Sequence, residues 1–261
     1  MTDSLESISR AASDCLEKGD TARALELYLE AVPLASAAGM QAELSGLLGD
    51  MAVAYRRMGS VPAAIETNRR AIEAARACGH DLDIARWSGN LGGLLYLGED
   101  IDGAETCFRE AAAAAARSGS PEQMSIAAGQ LAAVMGERGR FSEAVDIMAQ
   151  ALEHAKGHPE VTSIILDQEL GLLLRWAYSL REASRLREAR DVVNRALTNL
   201  TGRPPVKEEV MLLILLGDIE ENEGDIEAAC EAIERAVKAS DAIGDQERAK
   251  QLREVERRMR G

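Results

Sequence analysis

The apolar residues of this 261-residue chain recur with helical spacing in segments of about 17 residues, and glycine-bearing turns separate these segments. Because a glycine just after the last apolar residue is typical of a helix C-terminus, this pattern predicts a series of helices of nearly equal length. One glycine, Gly98, lies one position early in an otherwise regular spacing. The regular glycines lie at multiples of twenty less one: Gly19, Gly39, Gly59, Gly79, Gly119 and Gly139.

A second regularity shows that these helices belong to repeats. Six segments align without gaps at intervals of 40, 40, 40, 45 and 40 residues, beginning at positions 19, 59, 99, 139, 184 and 224. The sixth and thirteenth residues of every segment are alanine, and a small residue lies twelve positions before the first alanine. Since only small side chains let helix backbones approach closely, these positions are predicted helix contacts. The twelve alanines are Ala24, Ala31, Ala64, Ala71, Ala104, Ala111, Ala144, Ala151, Ala189, Ala196, Ala229 and Ala236.

The third copy contains Leu91-Gly92 followed by Ala104-x3-Phe108, and Ala24-x3-Tyr28 and Leu216-Gly217 match in part. This arrangement resembles the tetratricopeptide repeat, a helix–turn–helix unit with leucine-glycine in its first helix and alanine-x3-aromatic in its second. Two departures are the missing proline at the end of the second helix and the period of 40 in place of 34. In both departures the chain resembles the long-helix variety of this repeat, which is found in kinesin light chains and bacterial peptide-sensing regulators.

The resemblance implies an all-α fold, a right-handed α-solenoid of six helix–turn–helix repeats that forms one domain over residues 1–261. Pro159 predicts the start of an elongated helix that runs to about Glu182, and TGRPP (201–205) predicts a loop. Ser120, followed by Pro121, is a predicted N-cap. The expected repeats span about 5–39, 40–79, 80–119, 120–157, 158–200 and 206–244, with a capping helix at 245–260.

Charge and composition limit the class of partner. The formal net charge of −14 argues against nucleic acid as a partner, because a protein that binds a duplex needs a basic surface.

No signal peptide is visible, and no apolar run approaches the roughly 20 residues of a membrane helix, so we expect a cytoplasmic protein without membrane insertion. Alanine is abundant and arginine outnumbers lysine, which hints at a bacterial source. The four cysteines are far apart and predict neither disulfides nor a zinc site.

Candidate chemistry is sparse. His154 and His158 have the spacing of a helical metal pair, but Pro159 follows and no cysteine is near enough in sequence to complete a site. His80 lies two residues from Cys78, which indicates a helix end more than a catalytic dyad. SGNLGGLLYLGED (88–100) is dense in glycine, yet no strand precedes it, so a phosphate loop is disfavoured. We therefore predict a non-catalytic protein without cofactor or metal.

The resemblance implies that the first helix of each repeat lines a concave groove that binds a protein or peptide segment. Asp50, Asn90, Gln130 and Arg175 take the same position in successive repeats, where asparagines of long-helix relatives bind a peptide main chain. Gly89 and Gly93 are expected to face the groove and to leave room for a partner. The other predicted groove residues are Arg56, Arg57, Arg86, Tyr96, Tyr178 and Arg181.

Five of these groove residues are arginines, and they suggest that the partner segment is acidic or carries carboxylates. The alternative for each arginine is pairing with glutamates of neighbouring repeats. Two other functions stay open: a ligand- or peptide-sensing regulatory module that acts on a separate effector protein, and a homo-oligomer that associates through its end repeats.

Overall fold

The structure is a computed structural model that describes residues 2–261, and every regular element in that range is an α-helix. The all-α fold class is therefore confirmed. The helices are α1 (Thr2–Glu17), α2 (Thr21–Ala37), α3 (Gln41–Arg57), α4 (Val61–Cys78), α5 (Asp81–Leu97), α6 (Ile101–Ser118), α7 (Pro121–Glu137), α8 (Phe141–His154), α9 (Pro159–Glu182), α10 (Leu186–Asn199), α11 (Lys207–Glu223), α12 (Ile226–Ala242) and α13 (Gln246–Met259).

The helices follow the predicted repeats. Each of the six repeats contains one consecutive pair, from α1 and α2 to α11 and α12, and α13 occupies the place of the expected capping helix. The elongated helix is α9, which begins at Pro159, ends at Glu182 and has 24 residues. The predicted N-cap is also present, because the backbone N–H of Gln123 donates to Ser120 Oγ at 3.3 Å.

Contacts divide the chain into two compact units. The first contains the residues up to Val134 together with Glu153–Val161, and the second contains Met135–Leu152 and Thr162–Gly261. Each unit buries apolar side chains of its own, such as Leu48 in the first and Leu213 in the second. The single solenoid domain stays a prediction.

Small residues lie at the helix contacts, as the repeat pattern predicts. Eleven of the twelve repeated alanines have no exposed surface, and the twelfth, Ala151, is 5% exposed. At Gly92 of α5, an added Cβ would lie 2.6 Å from the ring of Phe108 on α6. Gly217 of α11 has the same relation to Ile233 of α12, at 2.9 Å. The glycines thus let the large side chain of the second helix pack directly on the backbone of the first.

The second unit also contains an aromatic contact. The rings of Phe141 on α8 and Trp176 on α9 are stacked, with centroids 6.2 Å apart and planes 8° from parallel. Offset or stacked rings at this separation add to the stability that burial gives.

The turn after α5 differs from the other regular turns. The glycines at 19, 39, 59, 79, 119 and 139 all have positive φ. The equivalent residue after α5 is Glu99, which has φ 64°, whereas Gly98 has an ordinary φ of −88° as the C-cap. The residue with left-handed backbone therefore stays at position 99, as the 40-residue period requires, although the glycine of this turn lies one residue earlier, at 98. Ser184, after α9, is the other described non-glycine residue with positive φ.

In the described residues, no helix is both long enough and apolar enough to cross a membrane. The cytoplasmic location and the bacterial source stay predictions.

Replacement Glu99→Gly should raise the free energy of unfolding by about 1 kcal/mol, because glycine removes the steric cost of a left-handed side chain. Urea denaturation followed by far-UV circular dichroism would measure the change. Gly59→Glu is the matched control at the equivalent turn and should lower stability by a similar amount. If the Glu99→Gly protein were less stable than the wild type, the left-handed backbone of Glu99 would carry no steric cost.

Candidate functional site

Polar residues of the predicted groove lie at equivalent positions on α3, α5 and α7 of the first unit. Asp50, Asn90 and Gln130 are all half-buried, so part of each residue reaches solvent. We call this surface the polar face and define it by these three residues together with Arg86, Gly89 and Gly93.

Trp87 anchors the polar face from beneath. Its side chain is 2% exposed, and its indole lies directly on the backbone of Gly49, where an added Cβ would come within 2.2 Å of the ring. The indole Nε1–H donates to Ser45 Oγ at 3.1 Å, and Ser45 Oγ–H donates to Asp83 Oδ2 at 3.3 Å. Buried polar groups that are paired in this way fix the orientation of a side chain. Trp87 therefore has one well-defined position between α3 and α5.

Asp83 connects this buried pair to the start of α5. Its carboxylate Oδ2 lies 3.0 Å from Nδ1 of His80, the N-cap residue of α5. Asp83 is 8% exposed, so the two hydrogen-bonding neighbours offset the cost of burying its carboxylate.

Arg86 is held over the anchored tryptophan. Its guanidinium carbon lies 5.4 Å from the centroid of the Trp87 ring, within the range of a cation–π interaction. The side chain is exposed, so the cation is positioned and still accessible to solvent. The polar face thus presents a donor group whose place is set by a rigid aromatic ring.

Asp50 is the acidic member of the polar face. Burial raises the pKa of its carboxyl, the Arg86 cation opposes this shift, and the nearby Asp83 carboxylate adds to it. A carboxyl whose pKa is raised by desolvation destabilises the folded protein when it is ionised. Asp50 therefore costs stability at neutral pH.

A small pocket opens between α5 and α7 on the polar face. It has a volume of about 100 Å³. Polar groups and short apolar side chains both contribute to its wall, which is typical of a site that orients a ligand group. Its lining residues are Ala85, Arg86, Gly89, Asn90, Gln123, Ile126, Ala127 and Gln130.

Gln130 closes one side of this pocket. Its Oε1 is buried and has no hydrogen-bond partner among residues 2–261. The same oxygen would lie 2.9 Å from a Cβ added at Gly89. Gly89 is therefore buried under the glutamine, and the expectation that it leaves open room for a partner is wrong. At Gly93 nothing lies within 4 Å of the Cβ position, and its role in a partner groove stays a prediction.

The structure separates the predicted arginines into two groups. Arg57 Nη1 donates to the main-chain oxygen of Leu16, at 2.5 Å, and so caps the end of α1. Arg181 pairs with Asp218 through two hydrogen bonds of 2.6 and 3.1 Å. These two arginines have partners within the chain, although neither partner is a glutamate as the alternative supposed. Arg56 is exposed on α3.

The predicted residues of the second unit are described separately. Arg175 and Tyr178 are exposed on α9, with Tyr178 at 37%. Tyr96 of the first unit is half-buried near the end of α5.

Sequence reasoning missed two contributors to the site. One is Gln123, which lines the pocket while its backbone N–H donates to the N-cap Ser120. The signal was available, because Gln123 and Gln130 are seven residues apart and therefore lie on one face of α7. Trp87 was not singled out, because a buried aromatic residue in a helix resembles ordinary core.

Within residues 2–261, no group of three or more histidine, cysteine, aspartate or glutamate side chains is placed to hold a metal ion. His154 and His158 accordingly belong to no such group. The absence of enzymatic activity stays a prediction.

Comparison with family models gives the class of protein. Tetratricopeptide repeat models match residues 40–117 and 83–157, and a further one matches 174–242. The matches cover more than half of the sequence, and the chain belongs to the tetratricopeptide repeat family. This confirms the resemblance based on Leu91-Gly92 and Ala104-x3-Phe108. A search of curated proteins finds no match.

Solved structures with similar folds agree. The apo form of RapI has a TM-score of 0.57 and 12% identity, over 93% of this chain and 99% of that one. A putative kinesin light chain TPR-like repeat structure from Podosopora anserina has a TM-score of 0.53 and 16% identity, over 78% and 99%. PilF of Pseudomonas aeruginosa has a TM-score of 0.51 and 16% identity, over 97% of each chain. At such identities the likeness shows the helical-repeat fold alone.

Replacement Gly49→Ala should lower the free energy of unfolding by about 1–3 kcal/mol, because the new methyl group would displace the Trp87 ring. Gly46→Ala is the control on the same helix, where nothing lies within 4 Å of the Cβ position. That control should raise stability by about 1 kcal/mol through helix propensity. Urea denaturation would measure both variants, and equal effects would show that Trp87 does not require Gly49.

Replacement Asp50→Asn should stabilise the protein near neutral pH. Because the pKa of Asp50 is raised in the folded state, the wild type loses stability as the pH rises above the ordinary carboxyl range, and asparagine does not. The difference between the two proteins should shrink toward zero as the pH falls below about 4. Urea denaturation across this pH range measures whether the substitution stabilises or destabilises the protein. Asp191→Asn, at an exposed position on α10, is the control for the lost charge. A variant less stable than the wild type at pH 7 would contradict the burial argument.

Proposed function

We propose that the chain is a non-catalytic scaffold whose polar face binds an extended protein or peptide segment. The observation that carries this proposal is a concentration of unfavourable features on one surface. Asp50 has a desolvated carboxyl, Gln130 has a buried oxygen without a partner, and Gly93 weakens a helix interior without any packing need. Natural proteins keep such costs mainly where function requires them.

The polar face suits the main chain of a bound segment. Asp50, Asn90 and Gln130 are repeated on successive first helices and together provide hydrogen-bond acceptors and donors. The open space at Gly93 would let the backbone of a partner approach α5 closely. Together these features favour an extended segment that runs across the helices, with Tyr96 as an additional contact surface.

Three cations of the first unit favour an acidic or carboxylate-bearing segment. Arg56 and Arg86 are exposed, and Arg57 keeps its positive charge although it also donates to Leu16. A carboxylate can accept from a guanidinium in bidentate fashion, which gives both energy and orientation. These three arginines lie on the first helices α3 and α5 of a chain whose net charge is −14.

In the second unit, Arg175 and Tyr178 are proposed as partner contacts because both are exposed. Arg181 can contribute only if a partner carboxylate competes with Asp218, so we expect its replacement to affect stability as well as binding.

Panning of the full chain against a phage library of random heptapeptides would test the proposal. We expect enriched peptides to contain Asp and Glu, and Arg56→Glu to weaken synthetic versions of them by about two- to fivefold, the magnitude of an exposed ion pair. Fluorescence anisotropy of labelled peptides would measure the dissociation constants.

Arg70→Glu is the matched control, because it reverses the same charge at an exposed position on α4 of the same repeat. Equal weakening by both variants would indicate a general charge effect and contradict a site on the polar face. Failure to enrich any peptide would contradict peptide binding itself.

A further inference from the structure

The pocket between α5 and α7 combines two groups of opposite hydrogen-bonding character. Arg86 can only donate, and its guanidinium is held over Trp87. Gln130 Oε1 can only accept, and it is buried without a partner. A buried acceptor that lacks a donor is unfavourable, so a ligand N–H that meets Gln130 Oε1 as its amide turns toward the pocket would be favoured.

The requirement for both a donor and an acceptor selects among partner side chains. A carboxylate could accept from Arg86, but its lone pairs would leave Gln130 Oε1 unsatisfied. An ammonium group could donate to Gln130 but would be repelled by the Arg86 cation. A carboxamide has an oxygen for Arg86 and an N–H for Gln130, so one such group carries a partner for each of the two.

The size of the pocket agrees with this choice. The pocket volume of about 100 Å³ is smaller than the dry cavity of about 150 Å³ that holds benzene, so it suits a small polar group better than an aromatic ring. A carboxamide fits this volume, and the apolar side chains of Ala85, Ile126 and Ala127 can cover the methylene group that carries it.

We propose that this pocket holds the side-chain carboxamide of one Asn or Gln in the bound segment. The inference rests on the proposed function, since it assigns one position of a segment that crosses the polar face. It is separate from the acidic preference of Arg56, because it concerns a different part of the segment and a neutral group.

The heptapeptides enriched by panning provide the probe. In one enriched sequence, each position is replaced in turn by leucine and its affinity is measured. At a single Asn or Gln position, we expect leucine to weaken binding to the wild type by about five- to tenfold, from loss of the hydrogen bonds.

Binding to a Gln130→Met protein should distinguish the pocket from other contacts. Methionine keeps the length of the side chain and removes its acceptor, so the Asn or Gln peptide and its leucine variant should then bind within about twofold of each other. Gln150→Met, an exposed position on α8, is the matched control and should keep the full difference. Circular dichroism would verify that both variants are folded.

The outcomes separate the two proposals. If peptides are enriched but carry no Asn or Gln preference, or if the preference persists in Gln130→Met, the carboxamide assignment is wrong and peptide binding stands. If carboxylate residues take the pocket position and lose their advantage in Gln130→Met, the pocket binds a segment of different chemistry and the assignment is again wrong. If no peptide is enriched, both proposals fail.

Discussion

Close approach of paired helices at small side chains is the constraint on which this fold depends. Gly92 lies under the Phe108 ring, and buried alanines or, in the sixth repeat, Gly217 occupy the equivalent contacts. Because this side of the first helices forms the core between paired helices, their other side has fewer large apolar contacts to make. Polar and flexible residues can therefore collect there without loss of the fold.

Several residues of the polar face lower the stability of the folded protein. Three physically different penalties fall on neighbouring first helices: desolvation at Asp50, loss of helix propensity at Gly93 and an unpaired acceptor at Gln130. Beneath them, Trp87 is fixed by a packed glycine and a hydrogen-bonded serine. A rigid base under polar groups with unmet interactions is the arrangement expected of a preorganised binding surface.

The sequence predicted the helices well and the site only in part, for one physical reason. Helix ends depend on neighbouring residues, so the limits of α9 followed from Pro159 and the repeat period. Whether an arginine has a partner within the chain depends on residues far away in the sequence. Arg57 bonds to Leu16, which is 41 residues away, and Arg181 bonds to Asp218, which is 37 residues away. These separations are close to one repeat, so comparing each charge with residues about 40 positions away would have anticipated such pairs. The orphaned oxygen of Gln130 depends on side-chain packing, which no periodicity shows.

The two tryptophans of the chain are divided between its two units. Trp87 is buried on Gly49 in the first unit, and Trp176 is stacked on Phe141 in the second. With either indole replaced, the remaining emission would come from one unit alone. The protein thus contains a native optical probe for each unit, and the order in which the two halves melt can be read without any added label.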